Sequence, residues 1–346
     1  MKTAFITGKQ KIEIMEEADP VLVSSVDVII KIEAVGVCGS DIHYYKDGRI
    51  GTHVMKYPET IGHECAGTVI EIGSDVENVE VGFRVAIDPA ISCYKCDQCK
   101  NGRPHTCRKL KFMGNPGEKH GAFSEYIIIP ARNCFPIPKS MTIDQAAFVE
   151  PLSIGYYAAS LADSVTGKTV AILGSGPIGL STLTSLGLQN PSKVFVTDLL
   201  ENRLDTAKHY GALWTGNPNQ IDIVACIFED EALGIDYVFE CAGEHETLDQ
   251  GIDLLKPGGT LIIVGIPVGN RVNVSIDKMR RKELQIINVR RQNECVQTAI
   301  NLIATNKINV DPMLTHYFNF DEIADAFDLV AGYKDEVIKA IVQVSI

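Results

Sequence analysis

The sequence predicts an α/β fold in two parts, a β-rich region followed by a doubly wound parallel sheet wrapped by helices. At 346 residues the chain is longer than a typical single domain, so two domains are expected. In the first part DVIIKIEAVGVCG and GTVIEIG read as strands set between Gly, Pro and Asp turns. From about Gly167 the pattern changes. TVAILGSGPIGLSTLTSLGLQ, KVFVTD, ENRLDTAKHYG, IDYVFECAG, HETLDQGIDLLKPGG and TLIIVG alternate short apolar strands with helical stretches. HETLDQGIDLLKPGG reads as an amphipathic helix ended by Pro257 and Gly258. After Val289 the alternation stops.

Composition narrows the function. A net charge of −12 argues against nucleic acid or an anionic membrane surface as the main partner. No apolar run approaches the roughly 20 residues needed to cross a bilayer. MKTAFITGKQKIEIMEE lacks the apolar core and small-residue cleavage site of a signal peptide, so a cytoplasmic protein is expected. In that compartment the ten cysteines are not expected to form disulfides, and clustered ones read as metal ligands.

The second part is punctuated by GSGPIG, with Gly174, Gly176 and Gly179 after the strand TVAIL and at the start of a helix. Glycine is needed there because the turn is tight and the backbone approaches a pyrophosphate that faces the helix N-terminus. Asp198 ends the strand KVFVTD, where a carboxylate hydrogen-bonds ribose hydroxyls and repels a 2′-phosphate. Together these features read as a Rossmann domain that binds NAD.

The first part holds CYKCDQCKNGRPHTC, which supplies Cys93, Cys96, Cys99 and Cys107. Four thiolates this close can surround a tetrahedral Zn²⁺ and close the site, making it structural. An iron–sulfur cluster is the competing reading, although its usual spacing has a shorter last gap and a following proline, where this chain has Arg108. Upstream, GVCGSDIHYYKDGRIG places Cys38, Ser40 and His43 together, GHECAG supplies His63 and Glu64, and VEPLSIG supplies Glu150. A thiolate, an imidazole and one or two carboxylates make a mixed site that leaves a zinc position open. Spacing alone does not bring them together. Cys65, Cys134, Cys226, Cys241 and Cys295 read as small core residues.

The CGSD segment, the GHExxG box, the four-cysteine lobe and the GxGxxG turn, in this order over essentially the whole chain, resemble the zinc-dependent medium-chain alcohol dehydrogenases. CGSDIHYYKDGRIG and EPLSIG are especially similar to the sorbitol, xylitol and L-iditol (polyol) dehydrogenases. The resemblance implies a GroES-like β-rich catalytic domain over residues 1–151 and 290–346, with a Rossmann NAD-binding domain over 152–289. It implies two zincs per chain, the catalytic one on Cys38, His63 and Glu64 with Glu150 bound directly or through water, the structural one on the four-cysteine lobe. Ser40 and His43 fall where the family has a proton relay. Tyr44, Phe112, Glu150, Arg290 and Arg291 fall at or beside its substrate positions, and Gly174, Gly176, Pro177, Ile178, Gly179, Asp198, Arg203, Val264, Gly265, Ile266 and Arg290 at its coenzyme positions. TLIIVGIPVG falls where the family presents backbone to the nicotinamide. A homo-oligomer, tetramer or dimer, is implied as well.

Two departures stand out. The chain reads VRRQN, placing Arg291 where a tyrosine is expected, and Asn115 replaces the expected threonine after Phe112. An added cation invites an anionic substrate, or it is an exposed interface arginine. The expected activity is oxidation of a polyol secondary hydroxyl to a ketose with hydride transfer to NAD. The alternatives are another secondary alcohol, such as a sugar acid (gulonate or galactonate), a vicinal diol or threonine, and an inactive dinucleotide-binding structural or regulatory protein.

Overall fold

The computed structural model describes residues 1–267, 269 and 271–345. Val268 of TLIIVGIPVG lies outside the described residues. The chain divides into two compact units, one of Met1–Glu150 with Val296–Ile346 and one of Pro151–Cys295. No helix among the described residues is long and apolar enough to cross a membrane.

The first unit is built around the strand Asp27–Gly36, seven of whose ten residues are buried, as in a strand covered on both faces. This strand pairs antiparallel with Glu64–Ile72, with Tyr126–Pro130 and with Lys339–Gln343. The sheet continues through Arg84–Ile87 to Cys134–Pro136 on one side and to Leu314–Asn319 on the other. Register fixes the chemistry at its end: Gly36 lies opposite Glu64 on one flank and Ile341 on the other.

The second unit is a parallel sheet in the order Trp214–Gly216, Lys193–Thr197, Thr169–Leu173, Ile235–Glu240, Leu255–Ile263, Gln285–Asn288. Numbered along the chain this is 3-2-1-4-5-6, the doubly wound dinucleotide-binding order, with its switch point between Thr169–Leu173 and Ile235–Glu240. Ligands bind at such a point beyond the carboxyl ends of the strands.

Two readings of the sequence are corrected. The helix expected to reach Pro257 and Gly258 is His245–Leu254, and LKPGG belongs to the strand Leu255–Ile263. The ammonium of Lys282 donates to the carbonyls of Ile252, Asp253 and Leu255 at 2.7–2.9 Å, so the helix end is satisfied by a distant side chain that local sequence does not reveal. Nor does the alternation stop after Val289. Leu314–Asn319, the helix Ile323–Ala331 and Lys339–Gln343 form a further strand–helix–strand unit with parallel strands. Its strands extend the antiparallel sheet of the first unit rather than the parallel sheet of the second, so no local pattern announces it.

Phe123 anchors the core beneath the site, fully buried and edge-on to Phe327 at 5.4 Å. Its ring fills the space that a Cβ on Gly62 would take. Phe123→Ala lowers the unfolding free energy of this unit by about 3–5 kcal/mol in a denaturant titration; a loss below about 1 kcal/mol contradicts this packing.

Candidate active site and metal centres

Cys38 begins the helix Gly39–Asp47, and its backbone N–H donates to Asp41 at 3.1 Å. The other oxygen of Asp41 accepts from the Gly62 N–H at 3.3 Å and lies 3.5 Å from His63 Nδ1. A carboxylate only accepts, so Asp41 holds the proton on Nδ1 and leaves Nε2 as the donor to a metal. Ser40 Oγ lies 3.3 Å from Cys38 Sγ and 3.5 Å from His63 Nε2. The ligand atoms of Cys38, His63 and Glu64 all lie within 4.8 Å of one another.

Why Glu64 faces inward follows from the sheet. Across Gly36, Lys339 donates to a Glu64 oxygen at 2.6 Å and to the Val37 carbonyl at 3.0 Å. Both side chains are essentially fully buried. A Cβ on Gly36 would collide with the Glu64 carboxylate and crowd the Lys339 stem, so glycine is required where the two cross.

Electrostatics fit a cation here. Burial pushes the Cys38 thiol up and the Glu64 charge adds to it, against the pull of His63 and Lys339. A thiolate at this position therefore needs a further positive charge beside it. For His63, burial disfavours the imidazolium, but Asp41 and Cys38 outweigh it and raise its pKa. One thiolate, one imidazole and one carboxylate form a donor set that Zn²⁺ accepts with a position left over.

Other expected residues are distributed around this cluster. Glu150, buried in the first turn of Val149–Ser160, stands outside the three-ligand group, and its charge is felt at Cys65. The Phe112 ring lies 5.1 Å from that of His63. Tyr44 donates its hydroxyl proton to Asn115 Oδ1 at 2.7 Å. His43 is partly exposed, 3.8 Å from Asp47. Arg290 and Arg291 follow the strand Gln285–Asn288 in the second unit, and Arg291 adopts a left-handed φ of 56°.

The second sulfur cluster is closed. Cys93, Cys96, Cys99 and Cys107 have their sulfurs within 4.8 Å of one another. Backbone amides turn toward them: Cys93 N–H points at Cys107 Sγ at 3.2 Å, Lys109 N–H at the same sulfur at 3.3 Å. Such amides, from Cys99 and Arg108, bring the Cys96 thiol down to about 6, while burial pushes Cys99 up to about 12. Four converging thiols fit one tetrahedral ion.

In the second unit Gly174 takes φ 95°, Gly176 precedes the helix Pro177–Gly187, and Gly179 packs on the Gly174 carbonyl. Pro177 and Ile178 open that helix. The Arg203 guanidinium lies beside Gly176. Asp198 accepts from Ser175 N–H at 2.7 Å and Leu200 N–H at 3.0 Å, bracing the turn from below. At the next strand end, Val264 and Gly265 donate their N–H groups to the Glu240 carbonyl at 2.8 and 2.9 Å, with Ile266 half exposed beyond.

Sequence reasoning missed Asp41, Lys339 and Glu240. Glu240, buried at the end of its strand, accepts from Ala242 N–H, Gly243 N–H and the Thr247 hydroxyl at 2.7–2.8 Å. The signals were present. A lone lysine in the apolar run VIKAIVQV and a lone acid closing YVFE are each out of place unless paired. Cys226 and Cys241, read as core, are partly exposed, whereas Cys65, Cys134 and Cys295 are buried.

Lys339→Met leaves the buried cluster of Asp41, Glu64 and the Cys38 thiolate one positive charge short even with zinc bound, and the metal-loaded protein then loses about 3–5 kcal/mol of stability in denaturant; an unchanged midpoint contradicts the pairing.

Residues 24–139 match the alcohol dehydrogenase GroES-like domain family, and residues 177–305 match the zinc-binding dehydrogenase family. The chain is 34% identical to sorbitol dehydrogenase of Bacillus subtilis, over 99% of this chain and 97% of that one. It is 33% identical to L-idonate 5-dehydrogenase of Vitis vinifera, over 88% and 85%. It superposes on a solved short chain alcohol dehydrogenase from Escherichia coli CFT073, complexed with NADH, with a TM-score of 0.90 at 30% identity over 99% of each chain. Zinc and a nicotinamide dinucleotide are the cofactors of such a fold, and both donor sets above fit zinc. The chain belongs to the zinc-dependent medium-chain alcohol dehydrogenases, in the branch that contains the sorbitol dehydrogenases.

Proposed function

We propose that the protein catalyses reversible oxidation of a secondary hydroxyl of a polyol to a ketose, with NAD⁺ as hydride acceptor. The observation that carries this reading is the convergence of Cys38, His63 and Glu64 with the Ser40 hydroxyl at 3.3–3.5 Å from two of them. When bound, zinc at these ligands supplies a Lewis acid that favours ionisation of the substrate hydroxyl, and NAD⁺ takes the hydride.

The chain's own residues then have distinct tasks. Ser40 is placed to receive the hydroxyl proton and pass it toward His43 and solvent. Asp41 keeps the His63 tautomer fixed. Lys339 offsets one buried negative charge. Glu150 acts beside the metal through water, a reading supported by its place outside the ligand cluster. Asp198 receives the ribose hydroxyls and disfavours a 2′-phosphate, while Gly174, Gly176, Pro177, Ile178, Gly179 and Arg203 hold the pyrophosphate side. Val264, Gly265, Ile266 and Arg290 serve the nicotinamide half, and Tyr44, Phe112, Arg290 and Arg291 the substrate. The four-cysteine lobe holds the second, structural zinc. The two compact units support a division into a catalytic domain of residues 1–151 and 290–346 and an NAD-binding domain of 152–289, except that residues 290–295, with Arg290 and Arg291, group with the NAD-binding unit. The protein works in the cytoplasm as a homo-oligomer, tetramer or dimer.

A second reading, oxidation of a sugar acid, is favoured by the adjacent cations Arg290 and Arg291 and by the idonate dehydrogenase relative. NAD⁺ reduction followed at 340 nm with sorbitol, xylitol, ribitol, galactitol, 2,3-butanediol, L-threonine and gulonate separates the two. Rates highest on the neutral polyols bear out the first reading; turnover of gulonate alone contradicts it.

Cys38→Ser abolishes turnover and removes one of about two zincs per chain, while NADH still binds, as read by fluorescence titration. Asp198→Ala weakens the preference for NAD over NADP by roughly tenfold to a hundredfold, the range of one charge-assisted hydrogen bond; an unchanged ratio of kcat/KM contradicts its role as ribose reader.

A further inference from the structure

The loop that carries Phe112 ends in a chain of hydrogen bonds whose direction is fixed. Glu118 accepts the Phe112 N–H at 2.8 Å with one oxygen and the Asn115 amide nitrogen at 2.5 Å with the other. A carboxylate cannot donate, so Asn115 must present its NH₂ to Glu118 and its carbonyl oxygen away from it. That oxygen receives the Tyr44 hydroxyl proton at 2.7 Å. The Tyr44 proton is therefore committed. Any further hydrogen bond at the phenolic oxygen is one that it accepts.

The position of this oxygen gives the polarity a consequence. Tyr44 lies one helical turn beyond Ser40, on the same face of Gly39–Asp47, and Ser40 touches Cys38 and His63. From the other side Phe112, which Glu118 holds by its backbone, packs on the His63 ring. Gly114 in the same loop is stacked on the backbone of Gly62, just before His63. Helix and loop thus meet at the Tyr44–Asn115 bond, beside the ligand cluster.

We infer that Asn115 and Glu118 are positioning residues that set substrate class: they fix Tyr44 as a hydrogen-bond acceptor, so that its subsite takes a substrate hydroxyl and rejects a carboxylate or phosphate. A hydroxyl can donate to the phenolic oxygen, whereas an ionised carboxylate or phosphate oxygen meets it as acceptor against acceptor. This rests on the polyol dehydrogenase reading and sharpens it. Glutamine at position 118 ends the constraint, because its amide can donate to Asn115, which then turns and lets Tyr44 donate.

The test is the ratio of kcat/KM between neutral and anionic substrates of matched length, with sorbitol, xylitol and galactitol set against gluconate, xylonate, galactonate and galactitol 1-phosphate. The wild-type protein prefers the polyols. Glu118→Gln narrows that preference roughly tenfold, about the worth of one hydrogen bond to a charged group, with the change in KM rather than kcat. In a Tyr44→Phe background Glu118→Gln has no such effect, because the phenolic oxygen through which it acts is gone. A shift of the same size in that background means that the charge of Glu118 acts directly and overturns the inference, as does an unmoved ratio. Should Glu118→Gln fail to fold, Tyr44→Phe alone decides. It is expected to lose roughly tenfold on polyols and little on the anions, and equal losses overturn the inference. Turnover of polyols with an unmoved ratio rejects this inference alone; no NAD⁺ reduction by the wild-type protein with any of these compounds rejects the polyol reading together with it.

Discussion

Charge buried in a β-sheet core has to be balanced, and the balance around Gly36 is what the rest of the first unit is arranged to hold. Asp41, Glu64 and Lys339 are each at most 2% exposed. With Cys38 as thiolate and His63 neutral, the forms in which both can ligate a metal, three negative groups face one ammonium. The deficit equals the charge of one divalent cation, and burial makes leaving it unmet costly. The strand register places Glu64 and Lys339 on opposite flanks of the one residue in the strand that has no side chain to keep them apart. Metal affinity and sheet stability are thus tied to the same few residues.

A second device recurs across both units. Asp41 takes the N–H groups of Cys38 and Gly62, Asp198 those of Ser175 and Leu200, Glu240 those of Ala242 and Gly243, and Glu118 that of Phe112. Each carboxylate pins a loop that bears ligand, coenzyme or substrate residues. Hydrogen bonds to an ionised acceptor are about twice as strong as neutral ones, and a loop held by two of them keeps its groups in place before the substrate arrives. The turn geometry of the coenzyme site and the polarity of the Tyr44 subsite both follow from carboxylates, of which the sequence reading singled out Asp198 alone.

The strand–helix alternation of the second unit was legible because each element carries its own period and turn residues, and GSGPIG with Asp198 located the coenzyme turn without any tertiary information. The four-cysteine lobe was legible for the same reason, its ligands lying within fifteen residues. Cys38, His63 and Glu64 were legible only as motifs, since 25 residues separate the first two and nothing in spacing joins them. Lys339 was out of reach: it meets Glu64 across 275 residues, through a C-terminal strand whose pairing with Asp27–Gly36 no local pattern announces. The end of the helix His245–Leu254 was misplaced for a like reason, its carbonyls being taken by Lys282 from a later helix rather than by a glycine cap. What sequence withheld was the strand–helix–strand unit that joins the first unit's sheet, together with buried polar pairings, of which those of Lys339 and Lys282 are long-range.

Zinc K-edge absorption of the purified protein reads the number and the donor chemistry of the two zinc sites together. About two zincs per chain are expected, with an average of about 2.5 sulfur ligands per metal at a Zn–S distance of about 2.3 Å, the rest being nitrogen or oxygen. A single zinc bound by about four sulfurs, or iron in its place, would rule out the mixed site at Cys38, His63 and Glu64.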